Sequence, residues 1–372
     1  MKLKNLTALV LPGLLCLACS LPEERSLAEG HKKSALPERP GTSRYSPDSI
    51  QVKQLLETKQ CQGCHLSGAD LSGANLQGAN VYGADLRGAK LDQANLKGAN
   101  LIQADLREAN LSQTNLQQAN LTGAQLSWQH QQSGSGEPIR TNLQRANLSG
   151  ATLVTAYLSG ADLTGANLQG AYLHGANLTG AILSKVDLGK ADLLGVKLNG
   201  ADLSGADLRR ANFALASLLK ANLSGANLQK AYLHAAALNE ADLNQANLNQ
   251  TDLSAADLSG ANLSRVNLSG ANLKRASLAK ANLSGGILHR IILQGADLSE
   301  ANLTGADLRQ ADLRQAYFNG ADLNQVNLDR ADLRGAKLSG ANLDGAKPES
   351  AVGYNQPLLF PTAQASPPQH SH

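Results

Sequence analysis

From residue 66 the sequence repeats every five residues: ADLSG, ANLQG, ANVYG, ADLRG and onward. Helices repeat at 3.6 residues and plain strands at 2, so neither accounts for this period. A chain with a period of five turns a corner once per unit. It therefore winds, and each winding stacks on the last. The run reaches Leu126, breaks at SWQHQQSGSGEPIRT, resumes at Leu143 and continues to Leu343. There are 13 units before the break and 41 after it. The central residue is Leu in 51 of these 54 units, with Val81, Phe213 and Phe318 as exceptions; two residues earlier stands Ala in 44. Those two positions hold one chemistry while the others vary, so they point inward and the other three face water. The residue before the centre is mostly Asn or Asp, whose side chains can satisfy backbone groups at turns.

Composition agrees with a repeat rather than an ordinary globular core. Aromatic residues make up only 3% of the 372 residues, and Leu and Ala supply the apolar content. Formal net charge is +3, and residues 66–345 carry 23 acidic and 23 basic side chains. A neutral rod creates no strong field for steering nucleic acid, so no nucleic-acid partner is expected.

At these units the chain resembles the pentapeptide-repeat family, whose pattern is A(D/N)LxX. The resemblance implies an all-β solenoid, a right-handed quadrilateral β-helix with four units per coil. About thirteen coils follow, and at about 4.8 Å per coil a rod of about 60–65 Å. Some members of that family mimic DNA and bind type II topoisomerases. That mechanism needs an acidic rod, which this chain lacks.

The N-terminus reads as an export signal. Lys2 and Lys4 precede an apolar run from Leu6 to Ala18, too short to span a bilayer as a mature helix. It ends at CLAC, which resembles the lipobox of bacterial lipoproteins and makes Cys19 the lipidated residue. Cys16 stands where Leu is usual in that motif, so a plain cleaved signal stays open. The reading is then a signal peptide over 1–18 and a charged, Pro-bearing tether over 19–45. A short capping helix follows over 46–60, with Ser46 as N-cap, Pro47 in the first turn and an apolar stripe of Ile50, Val52, Leu55 and Leu56. Repeats fill 61–126 and 143–347. The tail over 348–372 includes PLLF at Pro357 to Phe360, which could cover the far end.

The stretch TKQCQGCHLSG contains Cys61-x-x-Cys64-His65, the spacing of c-type haem attachment. Three readings stand. Counting back from Leu66 puts Cys61 at a central position and Cys64 at an Ala position, both inward, with His65 outward. That frame favours a structural pair, reduced or disulfide-bonded, with no cofactor. A covalent haem on Cys61, Cys64 and His65 is the alternative, and export favours it; the mature chain, however, has no Met for a sixth ligand. A zinc site wants four ligands where three are visible. LLETKQCQGC also resembles the head segment of many cyanobacterial pentapeptide-repeat proteins. There the pair belongs to the cap, and Asp commonly stands where His65 is.

The break between Leu126 and Leu143 spans 17 residues, two beyond whole units. It holds the only Trp, Trp128, and His130. It is either a tolerated insertion or a loop that meets a partner. At 20 residues per coil Tyr172 and His174 fall in line with Tyr232 and His234. Lys190, Arg210, Lys230, Arg290 and Arg330 share a second column, beside Asp192, Asp312 and Asp332. No Ser/His/Asp constellation or phosphate loop stands out, so no enzyme is expected. The expected role is a scaffold or protein-interaction surface, exported and held to an envelope membrane by the lipid. The cyanobacterial resemblance implies periplasm or thylakoid lumen.

Overall fold

The computed structural model describes residues 45–127, 139–348 and 350–353. The leader, Cys19, most of the tether, Trp128, His130 and the PLLF stretch lie outside the described residues.

Outside the interruption, each unit's residue before the centre pairs in parallel with the residue 20 positions on, from Gln60 with Asn80 to Asp332 with Val352. Four units therefore make one turn of a solenoid. We number its faces by the centres of the first turn: Leu66, Leu71, Leu76 and Val81. No continuous strands form, because every face is one bridge long before the chain turns.

The repeat is explained by where its five backbone N–H groups go, as the unit around Leu203 shows. The Asp202 N–H donates to Ala181 O of the preceding coil (3.0 Å), and Leu203 N–H to Asn222 O of the next (2.7 Å). Gly205 N–H donates to Ser224 O of the next coil (2.9 Å), and Ala206 N–H closes the turn on Leu203 O (3.1 Å). Only the Ser204 N–H lacks a backbone partner, and the Asp202 carboxylate accepts it at 3.0 Å. The Asn/Asp position thus exists to satisfy the one orphan donor per unit. Asn side chains also link coils: Asn222 Nδ2 donates to Asp202 Oδ1 at 2.9 Å. The second residue after the centre has positive φ, 63° at Gly205, which explains the frequency of Gly there.

The centres and Ala positions form one continuous core. Buried hydroxyls in it are satisfied: Thr114, Thr141 and Thr251 replace Ala, and their Oγ1 atoms donate to Leu91 O, Leu106 O and Leu228 O at 2.8, 3.1 and 2.9 Å. Gly286 also replaces Ala. A Cβ there would lie 2.8 Å from Leu288 Cδ1 and 3.4 Å from Val266 Cγ1, so the larger Val266 in the coil before is matched by a smaller neighbour.

The interruption adds residues without shifting the stack. Asn110 pairs with Asn142, and Asn115 with Asn147, 32 positions on instead of 20, so the excursion inserts 12 residues at one corner. Thr141 rejoins the core, and Glu108 N–H donates to its hydroxyl at 3.2 Å.

The first turn is met by one helix, α1, Ser49–Thr58. Its N-cap is Asp48 and not Ser46: the carboxylate accepts from Ile50 N–H at 2.9 Å and Gln51 N–H at 3.3 Å. Ser46 and Pro47 precede the helix. Of the expected apolar stripe, Leu55 is buried and Val52 packs on the core, while Ile50 (77% exposed) and Leu56 (46%) face out. A helix lying across a flat solenoid end buries a narrower strip than one packed in a groove. The helix closes at Lys59 with φ 59°, its N–H donating to Leu55 O. α1 also supplies polar partners that a preceding coil would give, since Gln51 Oε1 accepts the His65 N–H at 2.6 Å. Before α1, Tyr45 lies over the corner of face 1, where Gly68 and Gly88 leave room; a Cβ at Gly88 would fall 2.3 Å from the Tyr45 ring. Arg87 stacks on that ring at 5.8 Å.

Candidate functional surface

Cys61 occupies a centre of face 4 and Cys64 an Ala position of face 1, and the two are joined by a disulfide with Cα atoms 5.3 Å apart. Both sit in the core cluster with Leu55 and Leu66. His65 is in the outward position, bridged to Asp85 in the next coil. A thioether to haem would require opening this bond and turning both side chains out of the core. Among the described residues no group of three or more His, Cys, Asp or Glu is placed to hold a metal ion.

The outer surface is mostly amide, hydroxyl and charge. Face 4 departs from this across four coils. Tyr172, Asp192, Asn212 and Tyr232 follow one another along a column, each pair bridged. Tyr172 and Tyr232 are about half exposed. They stand where Asn or Asp elsewhere satisfies the turn, so the chain gives up that hydrogen bond at both positions. Beside them are Leu194, Ala214 and Leu215. Leu215 is 63% exposed and has φ 59°, an unfavourable backbone region for a non-glycine residue. Leu219 adds an exposed apolar side chain around the next corner. Sequence reasoning found the tyrosines and missed the leucines. An apolar residue at an otherwise polar outer position was the available signal.

The two histidines are tied into the surface. The His174 Nε2 bonds to the Asp192 carboxylate, which also accepts Asn212 Nδ2 at 2.9 Å. His234 Nδ1 contacts Ser254 Oγ at 2.9 Å. Among the described residues neither histidine joins a hydroxyl to an acid: His174 has the carboxylate and His234 the serine.

The cationic column stands at the corner between faces 3 and 4. Arg290 donates to Gln310 Oε1 at 2.8 Å, and Arg330 lies 4.0 Å from Asp329. Other arginines fork back onto the Asp two residues before them. Arg209 grips Asp207 in this way, Arg314 grips Asp312 and Arg334 grips Asp332. In each pair the guanidinium's hydrogen bonds hold the carboxyl below its usual range. Among the described residues no helix is long and apolar enough to cross a membrane.

The family model described as "Pentapeptide repeats (8 copies)" matches in overlapping stretches from residue 60 to 128 and from 141 to 347. Solved structures give matches of the same kind. One is HetL, a pentapeptide repeat protein involved in heterocyst differentiation regulation from the cyanobacterium Nostoc sp. strain PCC 7120. It is 37% identical over 65% of this chain and 92% of its own, with a TM-score of 0.27. Rfr23, a pentapeptide repeat protein from the cyanobacterium Cyanothece 51142, is 28% identical over 42% of this chain and 90% of its own, at 0.19. QnrB1, a plasmid-mediated fluoroquinolone resistance protein, is 21% identical over 53% of this chain and 89% of its own, at 0.32. Among curated proteins none is significantly similar in sequence.

Proposed function

The chain belongs to the pentapeptide-repeat proteins, a family of right-handed quadrilateral β-helices, and we propose that it works as a non-enzymatic, exported interaction rod in the cell envelope. In this reading Cys19 carries the lipid at the head of the tether over 19–45, and α1 caps a rod of about thirteen coils, about 60–65 Å long. The compartment is periplasm or, in a cyanobacterium, thylakoid lumen. The partner is a protein.

One observation carries the reading. Whereas Tyr157, Ile287 and Tyr317 stand on other faces, Tyr172, Leu194, Leu215 and Tyr232 form an exposed apolar group on neighbouring coils of one face. Two of them replace a turn-satisfying Asn or Asp, and one sits at positive φ. Residues that cost local stability and return no core packing belong to contacts outside the chain.

The test is site-specific photocrosslinking in the native host, with the probe at position 215 and, as control, at position 324 on face 2. The expected result is one discrete adduct from 215 that is lost in Leu194→Ser/Tyr232→Asn and absent from 324. Equal labelling at both positions would sink the reading. Radiolabelled acyl chains should enter the wild type and not Cys19→Ser.

A further inference from the structure

Three cations form a ridge on the rod. Lys190, Arg210 and Lys230 occupy successive coils of one column, each with its N–H bonded to the coil after it. Their side chains have no carboxylate partner, whereas Lys220 and Lys280 in another column each meet a Glu one coil on, at 3.3 and 3.7 Å. All three have positive φ, between 59° and 60°. In the same column Gly150, Gly170 and Gly270 take this conformation without strain. So three like charges stand about 4.8 Å apart, at positions better suited to glycine, and among the described residues none of them is in an ion pair.

A groove opens on each side of this ridge. The first is lined by Gln169, Gly189, Lys190, Arg209, Gln229 and Lys230, with no carboxylate and no apolar side chain among its lining residues. Gly189 makes its floor: here φ is ordinary, and a Cβ would meet Asp187 Oδ1 at 3.1 Å before Arg209 O and Gln169 Nε2 at 3.9 Å, so the notch has one carboxylate at its base, already accepting the Gly189 N–H at 2.9 Å. The second groove runs along face 4 and carries Tyr172, Asp192, Asn212, Tyr232 and His234, with the Asp192 carboxylate taken up by His174 and Asn212. Cations and amides lie on one side, and half-exposed aromatic rings with further polar groups on the other.

We infer that this ridge binds an acidic polysaccharide, a linear uronate chain lying along the rod axis over Lys190, Arg210 and Lys230. Such a chain presents one carboxylate per sugar, on alternate sides in a two-fold conformation, so same-side carboxylates recur at about two coil steps and meet Lys190 and Lys230, with Arg210 between them. Its hydroxyls find Gln169, Gln229 and Asn212, and its apolar ring faces find the tyrosines. An extended acidic peptide is out of step, since its same-side groups recur at about 6.8 Å. A single nucleic-acid strand needs closely spaced stacking platforms, and Tyr172 and Tyr232 are three coils apart. The inference shares Tyr172 and Tyr232 with the protein-interaction reading, but its test reads the corner ridge and not the exposed leucines, so the two can fail separately.

The experiment titrates the full chain with a linear oligogalacturonate by calorimetry, at low and at physiological salt. Neutral maltooligosaccharide, a poly-glutamate peptide and an oligothymidylate are run alongside. The test variant is Lys190→Gly/Arg210→Gly/Lys230→Gly, which places at all three sites the residue that other coils of the column already hold. The control variant is Lys220→Gly/Lys280→Gly. The expected result is uronate binding that weakens with salt, falls at least tenfold in the triple variant at unchanged melting temperature, and is untouched in the control. No uronate binding by the intact protein would overturn the inference. So would an unchanged affinity in the triple variant, or equal or tighter binding of the peptide or the oligothymidylate.

Discussion

The two ends of the solenoid are built from the same repeat and meet the solvent differently. At the N-terminal end, α1 lies on the first turn; Leu55 is buried there, and so are Cys61, Leu66 and Leu71. At the other end Leu338 and Leu343 are equivalent centres, yet both are only partly buried. The difference teaches what a coil needs. A coil in the middle gains two neighbours, each giving about the same burial and three backbone bonds per face. A terminal coil has one, and the missing partner must come from outside the repeat. α1 substitutes with a leucine, a glutamine side chain and a disulfide beneath it.

The largest effect that tests this comparison is removal of residues 45–58. Hydrogen exchange should then become fast over residues 60–100 and stay slow over 200–300, because coils feel only their neighbours. Uniform loosening along the rod would show that the coils do not respond independently.

A sharper version compares single truncations. Leu55→Ala should cost about 2–4 kcal/mol, as a buried leucine does, and Leu338→Ala less than half of that. Equal losses in denaturant melts would mean that the far end is as well covered as the near one.

Gly286→Ala supplies a reference from the interior. Its methyl meets Leu288 Cδ1 and Val266 Cγ1, so a loss of about 1–3 kcal/mol is expected. Adding Val266→Ala should return part of it. A neutral single substitution would show that the core relaxes freely at that coil.

Replacing both cysteines, Cys61→Ser/Cys64→Ser, should cost about 2 kcal/mol or less, because the loop closed is three residues apart in sequence. The solenoid's circular dichroism should be unchanged and local exchange near α1 faster. A visible spectrum of the wild type, made in a host competent for c-type haem attachment, belongs with this experiment. A Soret band surviving denaturation would show that the two thiols take haem instead of each other.

The smallest effect is expected from acid, and at both ends alike. Arg87 holds Asp85 below its usual range, as Arg314 and Arg334 hold Asp312 and Asp332. A carboxyl with a lower value in the folded state than in the unfolded one adds stability above about pH 4 and loses it as pH falls through the folded value. Melting temperature should therefore be flat from pH 7 to 5 and drop modestly below 4. Asp85→Asn and Asp332→Asn should each flatten the drop. An acid effect confined to one end would break the parallel.

The period of five, the inward Leu and Ala and the outward columns were legible because the same chemistry recurs dozens of times. So was the inward direction of Cys61 and Cys64, which needed only counting back from Leu66. The N-cap is Asp48 and not Ser46: Ser46, Pro47 and Asp48 all suit a helix start, and only the folded chain, with the Asp48 N–H on His65 O and its carboxylate on Ile50 and Gln51, shows where the turn begins. The exposed leucines were missed because Leu215 reads as one more leucine in a leucine-rich chain. Its meaning comes from lying at the wrong place in the unit.

The period of five and its two inward positions pointed to a chain that turns a corner in every unit, and the resemblance they carry implied the four-sided solenoid. The sequence by itself also determined the Asn and Asp column, which answers the single orphan N–H in each unit. The tertiary structure alone decided which outer residues become neighbours. Residues 20 or 32 apart in the chain touch only after the coil has formed, so the ridge at Lys190, Arg210 and Lys230, the notch at Gly189 and the patch around Leu215 exist as surfaces only in three dimensions.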